Sequence, residues 1–326
     1  MDTGTHFVMG ITLGGLALAD PYFSSQPYFA EVIVLTTIIG SQIPDVDTVL
    51  KLRNNAHYIT HHRGITHSIP ALLSWPLIIS FIIWLLLPEM SFTKLWFWSQ
   101  VAVGIHIFVD IFNAYGTQAL RPFTKKWLAL GVIYTFDPII FSIHTLAILL
   151  WFIGMNGLFV CSLAYIIMMF YYIYRFHMRN EVLRAVKKEI DDIEDILISP
   201  SVKLNQWHLS IITKNEYIVG KSINKTLRFF DRYNKNPIPK ERIFDIALKD
   251  HNVEAFLSFS PVYRWEKKEH ETYTEVRFID LRYYYNNHYP FVAVCHIDNE
   301  ETIVRSYTGW IFTETKLQQK LSLAKK

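Results

Sequence analysis

Hydrophobic and polar positions divide the chain in two. Up to about residue 175 long apolar runs are separated by short polar breaks; beyond it apolar and charged residues alternate closely. Six apolar segments are read in the first part, at residues 5–19, 32–43, 69–88, 95–115, 139–155 and 158–174. Asp20-Pro21 ends the first, Pro44 stops the second, and Asn156-Gly157 turns the fifth into the sixth. A membrane-crossing helix needs roughly 20 apolar residues, so the first two are short and read as a tight, re-entrant hairpin or two short crossings. Pro70 and Pro76 fall near the start of the third, where a kink is tolerated.

The second part reads differently. Residues 179–198 are amphipathic and charged and predict a helix leaving the membrane, broken at Ser199-Pro200. WHLSIITKNEYIVG predicts two short strands around a Lys-Asn-Glu turn, 239–250 a helix, and 253–313 an antiparallel meander. The expected fold is therefore a multi-pass α-helical membrane domain of about six segments (1–175), a linker helix (176–198), and a small α+β cytoplasmic domain (199–326).

Composition sharpens this division. The chain is 51% hydrophobic and 19% charged. Residues 1–175 hold eight basic and eight acidic side chains, and the rest holds 24 and 21. A net charge of +3 gives no nucleic-acid signal. The two cysteines, Cys161 and Cys295, lie in different halves, which excludes a disulfide framework and a thiolate metal knot. The start, MDTGTHF, lacks the basic flank of a secretory signal and is read as mature sequence.

Basic residues in short loops orient the crossings. Lys51, Arg53 and Arg63, then Arg121, Lys125 and Lys126, then Arg175, Arg179 and Arg184 all fall on one side; the other side offers only Lys94. A plasma (inner) membrane protein with both termini cytoplasmic is expected, and a re-entrant first pair leaves the later segments unchanged.

That topology gathers chemistry on one face. His6 opens the first segment, Asp45 and Asp47 close the second, His61, His62 and His67 precede the third, His106 and Asp110 lie low in the fourth, and Asp137 opens the fifth. His106 and Asp110, four residues apart, share a helix face about 6 Å apart along the axis. Asp45 and Asp47 can point the same way in an extended stretch, and Gly64 lets the HHRGITH loop bend. Imidazole and carboxylate without thiolate suit zinc, manganese or iron in a hydrolytic site. Four Asp and five His exceed the needs of one ion, so two or more ions are expected, clamping a phosphoryl or acyl oxygen. Arg63, inside the motif, suits bidentate binding of an anionic group.

His6, Pro44-Asp45-x-Asp47, His61-His62-Arg63-Gly64-x-Thr66-His67, His106-x-x-x-Asp110 and Asp137-Pro138 together resemble the YdjM-like family of membrane-bound proteins regarded as metal-dependent hydrolases. The resemblance covers about residues 1–175, and HHRGxTH is its most specific part. The family is similar, distantly, to zinc-dependent phospholipase C and single-strand-specific zinc nucleases, which hold three zinc ions and cleave phosphodiesters. The resemblance implies a phosphoesterase in which Asp45 or Asp47 is a base or bridging ligand. His6 would stand in for the N-terminal tryptophan ligand of the phospholipase.

Plainer readings stand beside these. His61 and His62 can be interfacial loop residues, and Asp137 before proline can be a helix cap. His57 reads as ordinary loop and His144 as packing; His208, His251, His270, His288 and His296 show no ligand spacing. The leading expectation is a metal-dependent hydrolase of a phosphoester or lipid-derived substrate. A non-catalytic membrane-anchored regulatory or recruiting protein, whose tail recruits a cytoplasmic protein through the 199–326 domain or regulates transcription, is the first alternative; an ion or proton-coupled transporter is the second.

Overall fold

The structure, a computed structural model, describes residues 1–52 and 54–323; Arg53, one of the basic loop residues used above to orient the crossings, lies outside them. Contacts divide the chain into two units. One comprises Met1–Asp47, His62–Glu181 and Ser199–Leu204; the other comprises Thr48–His61, Val182–Ile198 and the chain from Asn205 on.

The first unit is helical. α1 (Thr3–Ala17), α2 (Pro21–Ser24) and α3 (Pro27–Gln42) lead into a 3₁₀ stretch at Ile43–Leu52, and α4 (Asn55–His61) belongs to the second unit. α5 (Ile69–Leu86), α6 (Phe92–Asp110), α7 (Pro138–Phe152) and the long α8 (Gly157–Glu189) follow. Each of the six expected segments is a helix. Among the described residues three stretches are long and apolar enough to cross a membrane: Pro27–Lys51, Ile69–Leu86 and Gly157–Glu189; Pro138–Phe152 is shorter. Their outward faces carry exposed Leu77, Phe81 and Leu85 on α5 and Ile166, Phe170 and Ile173 on α8. An apolar surface of that extent is stable against lipid and costly against water.

Starts and stops follow local chemistry. Asp2 caps α1 by accepting from the Thr5 amide, and Ser68 caps α5 from Ala71; both α3 and α5 begin with proline in the first turn, where no amide partner is lost. α3 packs tightly on α6 because Gly40 carries no side chain: a Cβ there would lie 2.7 Å from the Ala102 Cβ. That approach brings the backbone at the end of α3 next to His106.

The second unit holds two antiparallel four-stranded sheets. β1 (Ile193–Pro200), β2 (Gln206–Thr213), β3 (Glu216–Ile223) and β4 (Thr226–Asn234) form one in sequential order. α9 (Arg242–Ala247) and α10 (His251–Phe259) precede the second, β5 (Tyr263–Glu269), β6 (Tyr273–Asp280), β7 (Phe291–Asp298) and β8 (Ile303–Trp310), also sequential, and α11 (Glu314–Leu323) follows. β7 is buried on both faces. Phe291, Ala293, Cys295 and Ile297 pack on Phe244, Val253 and Phe256, while Val292 and Val294 pack on Leu317 and Leu321.

The expected strands around Lys-Asn-Glu are β2 and β3. Three boundaries differ. The helix expected to run to residue 198 ends at Glu189, because Ile193, Ile196 and Ile198 sit on a strand whose neighbours are acidic. The meander begins at Tyr263, not 253: Val253 and Phe256 repeat at helical spacing behind the Asp250 cap and form one face of α10. Residues 48–61, placed by sequence in the membrane domain, pack with the second unit.

Candidate metal centre

The centre lies where α1, α3, α6 and the HHRGITH loop meet. Asp45 Oδ1, His67 Nε2, His106 Nε2 and Asp110 Oδ2 converge in it. His67 Nε2 stands 3.2 Å from His106 Nε2, 3.5 Å from Asp45 Oδ1 and 3.4 Å from Asp110 Oδ2. His106 Nε2 is 3.7 Å from Asp45 Oδ1 and 3.8 Å from Asp110 Oδ2. One ligand atom from each of the four residues lies within 4.8 Å of all the others.

The state of both imidazoles follows from their partners. His106 Nδ1 is 2.7 Å from the Ser41 carbonyl, which can only accept, so Nδ1 carries the proton. Thr66 donates its hydroxyl to Asp47 Oδ2 at 2.6 Å, so its lone pair accepts from His67 Nδ1 at 3.0 Å. In neutral imidazoles both Nε2 atoms are then left with lone pairs. Two lone-pair nitrogens cannot hydrogen-bond one another, and the carboxylate oxygens beside them have no proton to share either. Asp45 Oδ1 and Asp110 Oδ2 are buried without a hydrogen bond of normal geometry.

Four such donors are stable together around a cation. Ligands at ~2.0–2.2 Å from one tetrahedral ion stand roughly 3.3–3.6 Å apart, close to the spacing here. The donor set fits a divalent transition metal, and the hydrogen bonds to Ser41 and Thr66 are the outer contacts that fix imidazole ligands.

A second group, Asp45, Asp47 and His62, also has ligand spacing. Asp47 is already well used: Oδ1 accepts from His62 Nδ1 at 2.7 Å, and Oδ2 accepts from Thr66 and from the Arg63 amide at 3.0 Å. It is the hub that folds the HHRGITH loop. The sharp bend falls on Arg63, which takes φ +59°, while Gly64 sits at φ −91°. A left-handed arginine costs about 1–2 kcal/mol, offset here by its amide bond to Asp47.

Arg63 is 5% exposed. Its Nη2 donates to the Met1 carbonyl at 2.9 Å and lies 3.2 Å from Asp110 Oδ2; Nε and Nη1 are buried without a hydrogen-bond partner. His6 stands behind the four donors, outside both groups: its Nε2 is 3.3 Å from Asp110 Oδ1, which also meets the Met1 amino group, and its ring stacks on His106 at 3.7 Å.

Two further sequence candidates stand in neither group among the described residues. His61 ends α4, is exposed, and donates from Nδ1 to the His57 carbonyl at 2.9 Å. Asp137 caps α7, its Oδ1 accepting from the Ile139 and Ile140 amides and its Oδ2 from Tyr171 at 2.9 Å. His144 packs on Thr12 and Tyr165. Sequence reasoning gave no role to Ser41 or Thr66. Thr66, inside the motif beside a histidine, was the one with a signal to follow.

The first 182 residues match the model of the YdjM inner membrane protein family. Residues 191–233 match the YfhP middle domain and 242–321 the YfhP C-terminal alpha/beta plait domain. Over 325 residues the chain is 52% identical to the "Uncharacterized protein YfhP" of Bacillus subtilis (strain 168), covering 99% of each. No solved structure matches. The motif-level resemblance is thus met over residues 1–182, and the chain belongs to the YdjM inner membrane protein family.

Proposed function

We propose that this protein is a membrane-embedded, metal-dependent hydrolase that acts on a phosphoester or lipid-derived substrate at the cytoplasmic face. The observation that carries the reading is the convergence of four ligand atoms, from Asp45, His67, His106 and Asp110, in which Asp45 Oδ1 and Asp110 Oδ2 are buried without a hydrogen bond. Zinc suits these donors best, with manganese or iron as alternatives and the Asp45–Asp47–His62 group as a second position. A divalent ion held there would supply Lewis-acid polarisation of a phosphoryl or acyl oxygen.

The chain's own residues do the rest. Asp47 locks the loop by three hydrogen bonds, so His62 and His67 arrive pre-positioned. Arg63 keeps Nε and Nη1 as uncommitted donors, and an anionic substrate oxygen is the partner that fits a guanidinium fork. Asp45, whose Oδ1 faces the other donors, is the candidate base or bridging ligand. In the topology we propose, six helices cross the inner membrane and both termini are cytoplasmic, which puts this centre on the cytoplasmic side.

The test is elemental analysis of detergent-purified protein together with a phosphoesterase panel that includes lipid headgroup esters and soluble esters. Stoichiometric transition metal, and hydrolysis lost in His106→Ala and Asp47→Ala, is the expected result. Protein without metal, or hydrolysis surviving both substitutions, overturns the reading.

A further inference from the structure

Between Asp110 at the end of α6 and Asp137 before α7 the chain carries no acidic residue and three basic ones, Arg121, Lys125 and Lys126. The connection is tied down by hydrogen bonds. Thr117 and Leu128 exchange backbone bonds at 3.1 and 2.8 Å, and Gln118 Nε2 donates to the Lys125 carbonyl at 2.8 Å. Inside that closure the Phe123 amide donates to the Leu120 carbonyl at 3.0 Å, folding residues 120–123 into a turn. The turn sends its apolar side chains outward: Phe123 is 84% exposed and Leu120 43%. Lys125 and Lys126 are exposed beside them, and Arg121 is half-buried with Nε lacking a hydrogen-bond partner.

The depth of this tip follows from its attachment. The Arg121 carbonyl accepts from the amide of Ile69, the first residue of α5, at 3.3 Å. α5 is one of the stretches long and apolar enough to cross a membrane. Its 18 residues span roughly 27 Å, little less than the ~30 Å hydrocarbon layer, so its first residue stands at an edge of that layer. The tip therefore sits where acyl chains give way to headgroups. An outward phenylalanine and leucine are costly in water, whereas here they gain acyl contact while the neighbouring ammonium groups reach phosphates. Orienting the crossings needs only the charges. Leu120 and Phe123 add an apolar surface among them, and a partner both apolar and anionic is a phospholipid.

We propose that residues 120–126 form an interfacial loop that binds the phosphate of anionic phospholipids in the leaflet next to the metal centre. The Gln118 amide donates to the Arg63 carbonyl at 2.9 Å, so a headgroup taken up at the tip is held beside the HHRGITH loop. The binding stands apart from the hydrolase reading. Only its consequence, that the centre meets lipid before any soluble ester, rests on that reading.

The experiment is native mass spectrometry of full-length, detergent-purified protein titrated with phosphatidylglycerol or phosphatidylcholine of identical acyl chains, with circular dichroism as a check on folding. The wild type should bind phosphatidylglycerol about tenfold or more tightly than phosphatidylcholine, since each basic residue at an anionic surface is worth roughly fivefold. Lys125→Gln combined with Lys126→Gln should lower phosphatidylglycerol affinity about 25-fold and leave phosphatidylcholine unchanged. Lys125→Arg with Lys126→Arg keeps the charge and should keep the affinity. Phe123→Ser should weaken both lipids alike, and Lys94→Gln, at the opposite end of α6, should change neither. Glycerol phosphate, a free headgroup, should not displace the lipid at equal concentration. Equal affinity of the wild type for the two lipids, wild-type affinity in the double glutamine variant, an equal loss in Lys94→Gln, or displacement by glycerol phosphate overturns the proposal. None of these outcomes touches the hydrolase reading, which metal analysis decides.

Discussion

His67 Nε2 and His106 Nε2 face each other at 3.2 Å, and each ring has already committed its Nδ1 proton, one to Thr66 and the other to Ser41. The two Nε2 atoms are held toward each other by contacts behind the tilted rings, as imidazoles are when a cation belongs between them. His67→Ala should lower transition-metal affinity more than about 100-fold, beyond the 10–100-fold typical of losing an orienting partner. Competition titration against a chelator measures it; unchanged affinity would remove His67 from the ligand set.

Thr66 relays between Asp47 and His67. Thr66→Val keeps the branched shape and removes the hydroxyl that donates to Asp47 and accepts from His67. Metal affinity should fall by about 10–100-fold, while Thr66→Ser retains most of it. A valine variant that binds metal as tightly as the wild type would show that the relay orients nothing.

Asp137 separates a cap from a ligand. Its carboxylate is spent on two α7 amides and Tyr171. Asp137→Ala should therefore cost roughly 0.5–2 kcal/mol of stability, as lost caps do, with metal content unaltered. Loss of metal in a variant whose helix content is intact would return Asp137 to the ligands.

The tail carries its own pH dependence. Burial pushes the Glu275 carboxyl up, but the hydrogen bond from His296 at 3.0 Å and the Arg277 charge outweigh it, and the group lies below its ordinary value. Glu314 is lowered too, first by its hydrogen bonds from Arg277. Both groups bind protons less readily folded than unfolded. Their contribution is thus complete above the ordinary value of 4.5 and is lost as pH falls through the lower folded values. The denaturation midpoint of the full chain, followed by tryptophan fluorescence, should drop between about pH 5 and 3. The drop should be shallower in Glu275→Gln; an equal slope would place the dependence elsewhere.

Much of the fold was legible because lipid imposes a coarse rule. Apolar runs such as 69–88 and 158–174 have one stable use, and α5 and α8 stand where they predict. The Lys-Asn-Glu turn was equally plain, since strand alternation on both sides left no competing element. Val253 and Phe256 were misread as strand because short apolar–polar stretches fit both periods, and only the core beneath α10 decides between them.

For the site, residue types and their clustering could be read along the chain: the HHRGITH run, the His106–Asp110 pair at one helical spacing, and the paired aspartates after Pro44. Their roles could not be sorted that way, because spacing constrains only neighbours along one element. Packing in three dimensions selects which lone pairs meet, through the close approach at Gly40 that sets Ser41 against His106. It makes Asp47 the hub of the loop, gives Asp137 to α7, and leaves His61 on an exposed helix end. It also moves residues 48–61 to the tail, which no pattern in their sequence announces. A seven-residue helix is held by the surface it packs on, and that surface lies some 200–250 residues further along the chain.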